Sequence, residues 1–301
     1  MLLIDLDPCI YQCGFASESV SYEVVYENEG GDVVSTYYSD GSAMKQGKKE
    51  LEEDGWKPVM QERIATPEPE AFAIQILNTK IRNIVEAVEK KYGPMSRAMY
   101  LTGKGNFRER IATVKPYKGN RENTPKPIHY TLLREYMLDK GAILVEGWEA
   151  DDQVSIDSRA YFDPVIATID KDLDQIPGRH YDYLKKTFYT VDEEEAMWMF
   201  YRQILSGDNV DNIPGLPRVG MKTAQKWLEE WHEEWVEHAL PSREVHLEEY
   251  WWTEIVNKYN AAYDDGYAIA LEMARLVKMQ EYEGQLWQPY GVDDERLDDI
   301  A

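Results

Sequence analysis

Acidic residues recur at four places where an apolar run of this chain gives way to a turn or a helix. Asp5 and Asp7 end LLIDLD, and Glu149, Asp151 and Asp152 follow the run AILVEG. Asp170, Asp172 and Asp174 follow VIATI, and Asp208 and Asp211 lie in GDNVDNIPG. If those runs are parallel strands, their ends share one edge and the carboxylates converge. Converging carboxylates repel one another, and burying them unpaired is costly. Hard divalent cations relieve that cost. A donor set of oxygens alone, with no histidine or cysteine, suits Mg²⁺ or Mn²⁺ rather than zinc. Two such ions about 3.5–4 Å apart can activate water and stabilise the leaving oxygen of a phosphodiester. Taken singly, each acid also has a structural explanation. Asp7 before Pro8 reads as a helix cap, Glu149 to Asp152 suit a helix N-terminus, and Asp170 and Asp172 could open a turn. Four clusters at successive strand ends argue against coincidence.

The elements that must position these acids can be read from periodicity. Short β-branched or apolar runs predict strands at Leu2–Leu6, Met99–Thr102, Ala142–Val145, Val165–Ile169 and Phe188–Val191. Between them lie helical patterns over Glu68–Lys91, Tyr130–Leu138, Ala150–Tyr161 and Glu193–Leu205. Alternating strands and helices imply an α/β fold with a mostly parallel twisted sheet, whose ligands bind beyond the carboxyl ends of the strands. Residues 17–66 read as an insertion of strand–helix–strand character. Beyond Asn212 the chain is helical, with Met221–Trp231 and Tyr267–Met279 the clearest cases. The expected organisation is an α/β core over residues 1–192 and a helical region over 193–301.

Composition narrows the function classes. A chain of 301 residues with 12% aromatics is long enough for a packed core. Apolar runs are too short for a membrane helix, and the acidic N-terminus lacks the basic start of a signal peptide. Two cysteines, Cys9 and Cys13, are too few for a disulfide framework or a zinc cage. A cytoplasmic location is expected, host cytoplasm if the chain is phage-encoded, with no membrane partner. The net charge of −23 opposes phosphate binding, but the charge is segregated. Residues 104–126 hold seven basic side chains (Lys104, Arg108, Arg110, Lys115, Lys118, Arg121, Lys126) against Glu109 and Glu122. Residues 228–254 hold nine glutamates against Arg243. An anion could approach one face. His232 and His238 lack zinc-pair spacing, and the tryptophans at 227, 231, 235, 251 and 252 read as core or interface rather than base-stacking platforms.

Five motifs in order resemble the 5′-nuclease superfamily: phage 5′–3′ exonucleases, flap endonucleases and the 5′-nuclease domain of bacterial DNA polymerase I. They are LLIDLD, NFRERIATVKPYKGNR, GWEADD, TIDKDLDQI and GDNVDNIPGLPRVGMKTAQKWL. The resemblance implies a PIN-like parallel-sheet nuclease core, a basic arch at about 104–126, and a C-terminal helix-3-turn-helix that binds duplex. It implies a first metal at Asp5, Glu149 and Asp151, with Asp152 nearby, and a second at Asp170, Asp172, Asp208 and Asp211. Tyr117, Lys118 and Arg121 match the arch residues that meet substrate, and Arg108 a supporting phosphate contact. Lys118 and Arg121 would put positive charge beside a phosphate gaining charge in the transition state. Gly215 and Gly220 fit the hairpin, where glycine permits close approach to phosphates and a helix start offers free N–H groups. Lys222 and Lys226 add charge there. The resemblance also implies K⁺ at this hairpin, against which stands Arg218 where the family usually has glycine.

A second departure is larger. The family carries a metal-binding aspartate just before its FR motif, where this chain has Thr102, Gly103 and Lys104. Asp7 could stand in for it or simply cap the following helix. The sequence thus favours a 5′–3′ exonuclease or flap endonuclease acting on DNA with 5′ ends, flaps or nicks, with RNA–DNA hybrid as a further substrate. The alternative of the same fold is a branched-DNA binding module with weakened catalysis. An unrelated PIN-like ribonuclease would share the acids but not the sequence from Gly207 to Leu228.

Overall fold

The computed structural model describes residues 1–121, 124–239, 245–292 and 295–296. The chain opens with β1 (Leu2–Asp5), α1 (Asp7–Ala16), β2 (Glu18–Glu27), β3 (Val33–Tyr38), α2 (Gly41–Glu53), β4 (Lys57–Pro67) and α3 (Glu70–Tyr92). It continues through β5 (Arg97–Thr102), α4 (Phe107–Ile111), α5 (Tyr130–Asp139), β6 (Ile143–Val145), α6 (Ala150–Ala160), β7 (Val165–Thr168), β8 (Gly178–Asp182) and β9 (Thr187–Val191). Helices α7 (Glu193–Ser206), α8 (Met221–Glu234), α9 (Leu247–Ala262) and α10 (Gly266–Val277) follow. It forms two compact units. One comprises Met1–Pro8, Ile84–Pro125 and Lys140–Ala301, the other Cys9–Asn83 and Lys126–Asp139.

The first unit holds a six-stranded sheet in the order β6-β5-β1-β7-β8-β9. All pairs are parallel except β8 with β9. The fold class read from the sequence is therefore what the chain adopts. Strands β1 and β7 are buried at every residue, which is why both read as unbroken apolar runs rather than as alternation. From β1 the chain winds outward to β5 and β6, then returns to β7 on the other side of β1. Ligand crevices of doubly wound sheets open at the carboxyl ends beside such a reversal. Asp5 closes β1, and Asp170 follows β7 across that point.

Helices α7 to α10 bury a core around Tyr201, Ile204, Leu228, Trp251, Ile255 and Met273. Trp231 and Trp252 are buried there too, with Trp227 packed against them, while Trp235 is half-buried. Between α7 and α8, Asp208 and Ile213 exchange backbone hydrogen bonds of 2.9 and 2.7 Å and close a short loop. Gly207 and Gly215 flank it with φ of 66° and 59°. A Cβ on Gly207 would lie 2.5 Å from the Gly215 nitrogen, and one on Gly215 would lie 2.3 Å from the Gly207 nitrogen. Only glycine fits where the two backbones cross.

In the second unit, β3-β2-β4 form an antiparallel sheet. The expected strand–helix–strand of the insertion is present as β3, α2 and β4, preceded by β2. Asp40 caps α2 by accepting the Ser42 and Ala43 N–H groups at 2.8 and 2.9 Å. Val24, Tyr26 and Tyr38 form its core with Met44, Leu51 and Trp56 packed against them. Among the described residues, no helix is long and apolar enough to cross a membrane.

Candidate active site

The buried Asp5 ends the central strand. Its Oδ1 accepts the Asp7 N–H at 3.1 Å, and the Thr168 hydroxyl lies 3.4 Å from its Oδ2. Glu149 precedes the first turn of α6, and Asp151 lies within that turn. Asp170 caps the short 3₁₀ turn Lys171–Gln175 by accepting the Asp172 N–H at 2.9 Å. Asp172 is held by the Gln203 amide at 2.7 Å and by Lys171 at 3.1 Å. Asp208 accepts the Val210 N–H at 2.6 Å and faces Lys171 at 3.4 Å.

These groups feel one another. Burial first, then the charges of Asp7 and Asp170, push the Asp5 carboxyl well above the usual carboxylate range. Burial, then Asp5, Asp170 and Glu149, do the same to Asp151. Asp170 is raised chiefly by burial, with Asp211 adding to it. Asp172 is pushed up to about 7 by burial and by Asp170 and Asp208. Crowded acids that cannot all ionise are short of positive charge. Glu149 moves the other way: burial opposes its charge, but Lys118 and Arg108 hold it below its ordinary value.

The basic segment faces this group. The Tyr117 hydroxyl lies 2.7 Å from both Glu149 and Asp211; it has one proton, so it serves one carboxylate at a time. The Lys118 ammonium bonds Glu149 and lies 3.6 Å from Asp211. Arg121 donates to Asp211 at 2.6 Å and to the Val210 carbonyl at 3.0 Å. Lys118 takes a left-handed backbone with φ of 53°, a strained state that tends to mark functional positions. Glu122 and Asn123, at the far end of the segment, lie outside the described residues, as does the side chain of His238.

As the side chains stand, no three acidic, histidine or cysteine residues among those described are drawn close enough to hold an ion. Lys118, Arg121 and Lys171 take up part of the positive charge the acids demand. The donor set remains oxygen only, which fits a hard divalent cation in kind.

Two expected site residues are corrected. Arg108 is 2% exposed and Asp152 is fully buried. They form a two-pronged ion pair at 2.6 and 2.9 Å. Arg108 also donates to the Leu276 and Lys278 carbonyls at 2.8 and 2.7 Å. Asp152 accepts the Glu149 and Gln280 N–H groups, both at 3.1 Å. This pair ties α4, α6 and the end of α10 together. Arg108 has no reach to a phosphate, and Asp152 no free edge for a metal. Asp7 also differs from the simple cap: its Oδ2 accepts the Thr102 N–H at 3.0 Å, where β5 ends. Its carboxylate thus stands beside the segment that lacks the expected acid.

Gly215 flanks the loop that carries Asp208 and Asp211, its backbone against Gly207, whereas Gly220, Lys222 and Lys226 stand at the start of α8. Gly220 precedes that helix with open space where a Cβ would be. Lys222 and Lys226 are exposed, Lys226 pairing with Glu230 at 3.4 Å. Arg218 has φ of 65°, the conformation glycine adopts without strain. Sequence reasoning missed Lys171, Gln203 and Thr168. Lys171 was visible between Asp170 and Asp172, whereas nothing local marked the other two.

An α/β protein with a mostly parallel sheet and a group of acids beside its strand reversal is the class that fold and site define. No family model matches the chain. It is 35% identical over 129 residues to DNA polymerase I of Rhizobium leguminosarum, covering 37% of this chain and 13% of that protein. It is 34% identical over 149 residues to DNA polymerase I of Bacillus caldotenax, covering 42% and 16%. With the 5′-3′ exonuclease of Buchnera aphidicola subsp. Baizongia pistaciae it shares 35% identity over 127 residues, 36% of this chain and 42% of that one. The chain thus spans less than half the length of these curated relatives. Among solved structures it is similar to T5 5′-exonuclease with bound zinc, at 16% identity and a TM-score of 0.42 over 67% of this chain and 91% of that one. The chain resembles the 5′-nuclease superfamily, as relatives named DNA polymerase I and 5′-3′ exonuclease bear out.

Proposed function

We propose that this protein is a divalent-metal-dependent 5′–3′ exonuclease and flap endonuclease that hydrolyses phosphodiester bonds in DNA. The observation that carries this reading is the mutual repulsion of Asp5, Glu149, Asp151 and Asp170 beside the strand reversal, with Tyr117 and Lys118 on Glu149 and Arg121 on Asp211. Asp5, Glu149 and Asp151 would hold one Mg²⁺ or Mn²⁺, and Asp170, Asp172, Asp208 and Asp211 a second. When bound, these ions lower the pKa of an attacking water and offset charge at the leaving oxygen. The chain's own residues do the rest. Lys118 and Arg121, released from Glu149 and Asp211, place positive charge against the phosphate oxygens. Lys171 and Gln203 fix the orientation of Asp172.

Residues 1–192 act as the nuclease core in this reading, and 193–301 as a helix-3-turn-helix region on which duplex rests. The start of α8, with Gly215, Gly220, Lys222 and Lys226, grips the phosphates of DNA bearing 5′ ends, flaps or nicks. K⁺ at this hairpin and the RNA strand of RNA–DNA hybrids extend the proposal, and the cytoplasm is where such a chain would meet its substrate. The branched-DNA binding module is favoured by one observation, the absence of an acid at Thr102–Lys104. Incubation with 5′-labelled flap, nicked duplex and RNA–DNA hybrid, in Mg²⁺, Mn²⁺ or EDTA, separates the readings. Cleavage with either metal and none in EDTA is expected. Cutting in EDTA would refute the metal reading, and metal-independent binding without cutting would favour the binding module.

A further inference from the structure

After α4 the chain runs without regular structure to the residues that face the acids. We propose that Glu272, on α10, is a positioning residue that sets where Tyr117 and Lys118 stand. Its Oε1 accepts the Thr113 and Val114 N–H groups at 2.9 and 3.0 Å, and its Oε2 accepts the Thr113 hydroxyl. One carboxylate thus anchors the root of the segment with three bonds to a charged acceptor, the stronger kind of hydrogen bond.

The far end is held separately. Lys118 N–H donates to the Asp211 carbonyl at 2.9 Å, and the Asn212 amide donates to the Pro116 carbonyl at 2.8 Å. Tyr117 is buried among the helical core residues between these ties. With root and tip both fixed, few conformations remain to the residues between them, and the Lys118 ammonium is directed onto Glu149. Without Glu272, two backbone N–H groups turn to water, and between Ala112, which packs on the helical core, and the tip no other described side chain bonds the backbone of Thr113 and Val114. Among the described residues, the hydrogen bonds of Glu272 go to Thr113 and Val114 and not to a site acid, so it acts through the segment. This assignment rests on the proposed function for the consequence in turnover, but not for the consequence in the position of Lys118.

The test compares Glu272→Ala and Glu272→Gln with the parent in three measurements. These are kcat and KM on 5′-labelled nicked duplex with Mg²⁺, the rate at which an amine-reactive acylating reagent modifies Lys118 in metal-free protein, and thermal melting. Glu272→Ala is expected to lower kcat by about 10- to 100-fold with little change in KM, because small misplacements of a reacting group carry penalties of that order. It should also raise the Lys118 acylation rate several-fold at a nearly unchanged melting temperature. Glu272→Gln keeps an oxygen for both N–H groups and should stay close to the parent. Parent-like acylation and kcat in Glu272→Ala would overturn the assignment, and so would equal losses in both variants. Should Glu272→Ala not fold, Thr113→Val removes only the hydroxyl bond. It should raise Lys118 acylation by less, and no rise overturns the assignment. If the parent itself cuts nothing, the proposed nuclease function fails, while the acylation comparison still decides the role of Glu272.

Discussion

Replacing Lys118 with methionine should move metal affinity and turnover in opposite directions. The ammonium bonds Glu149 and lies 3.6 Å from Asp211, with 28% of its side chain exposed. Two unit charges about 4 Å apart attract by about 4 kcal/mol at an effective dielectric of 20. Solvent screening of a partly exposed group reduces this to about 2 kcal/mol. On the proposed function, that attraction is what a divalent cation would displace to reach Glu149. Lys118→Met removes the competitor, so the metal concentration for half-saturation should fall about 30-fold, the factor equivalent to 2 kcal/mol. The same change removes the positive charge proposed to meet the phosphate, which should cost about 10²–10³ in kcat. Calorimetric titration with Ca²⁺ measures the first effect without catalysis, and single-turnover cleavage in saturating Mg²⁺ measures the second. Metal affinity that is unchanged or weaker in Lys118→Met would refute the competition argument, whatever happened to turnover.

Three other outcomes follow from the geometry. Arg108→Met strands the buried Asp152 charge and should destabilise the fold by about 3–5 kcal/mol, read as a loss of about 5–15 °C in melting temperature. Gly215→Ala should cost about 3 kcal/mol or more, because of its left-handed backbone and the clash with Gly207, whereas Gly220→Ala, in open space at the cap of α8, should cost about 1 kcal/mol or less; denaturant titration separates the two. His180 is buried with its Nδ1 unpartnered and its Nε2 on the Ile176 carbonyl at 2.8 Å, and burial holds its pKa below the ordinary 6.5. The neutral ring is the one the fold accepts, so its contribution is complete above pH 6.5 and is lost as pH falls through and below that value. His180→Phe should flatten the dependence of the urea midpoint over that range, and an unchanged slope would refute the assignment.

What the sequence determined by itself was local or periodic. Unbroken apolar runs gave away β1 and β7 because strands buried on both faces need no alternation. The acids after them were visible because strand ends in a parallel sheet share an edge. Gly178–Asp182 was not legible as a strand: GRHYD has neither an apolar run nor a clear alternation, and it is a strand only because β7 and β9 pair with it. The roles of Arg108 and Asp152 show the same limit. Both stand in motifs full of candidate site residues, and residue type cannot say whether a charge faces a crevice or another charge. Packing of α4, α6 and α10 decided that, by burying the pair together among carbonyls that satisfy it. Lys118 and Arg121 were recognisable as basic residues of an expected arch, but their placement on Glu149 and Asp211 depends on contacts across 31 and 90 residues of chain. A sequence records which groups can ionise. Only the tertiary structure sets which of them share a low-dielectric site, since distance and burial govern how strongly charges interact.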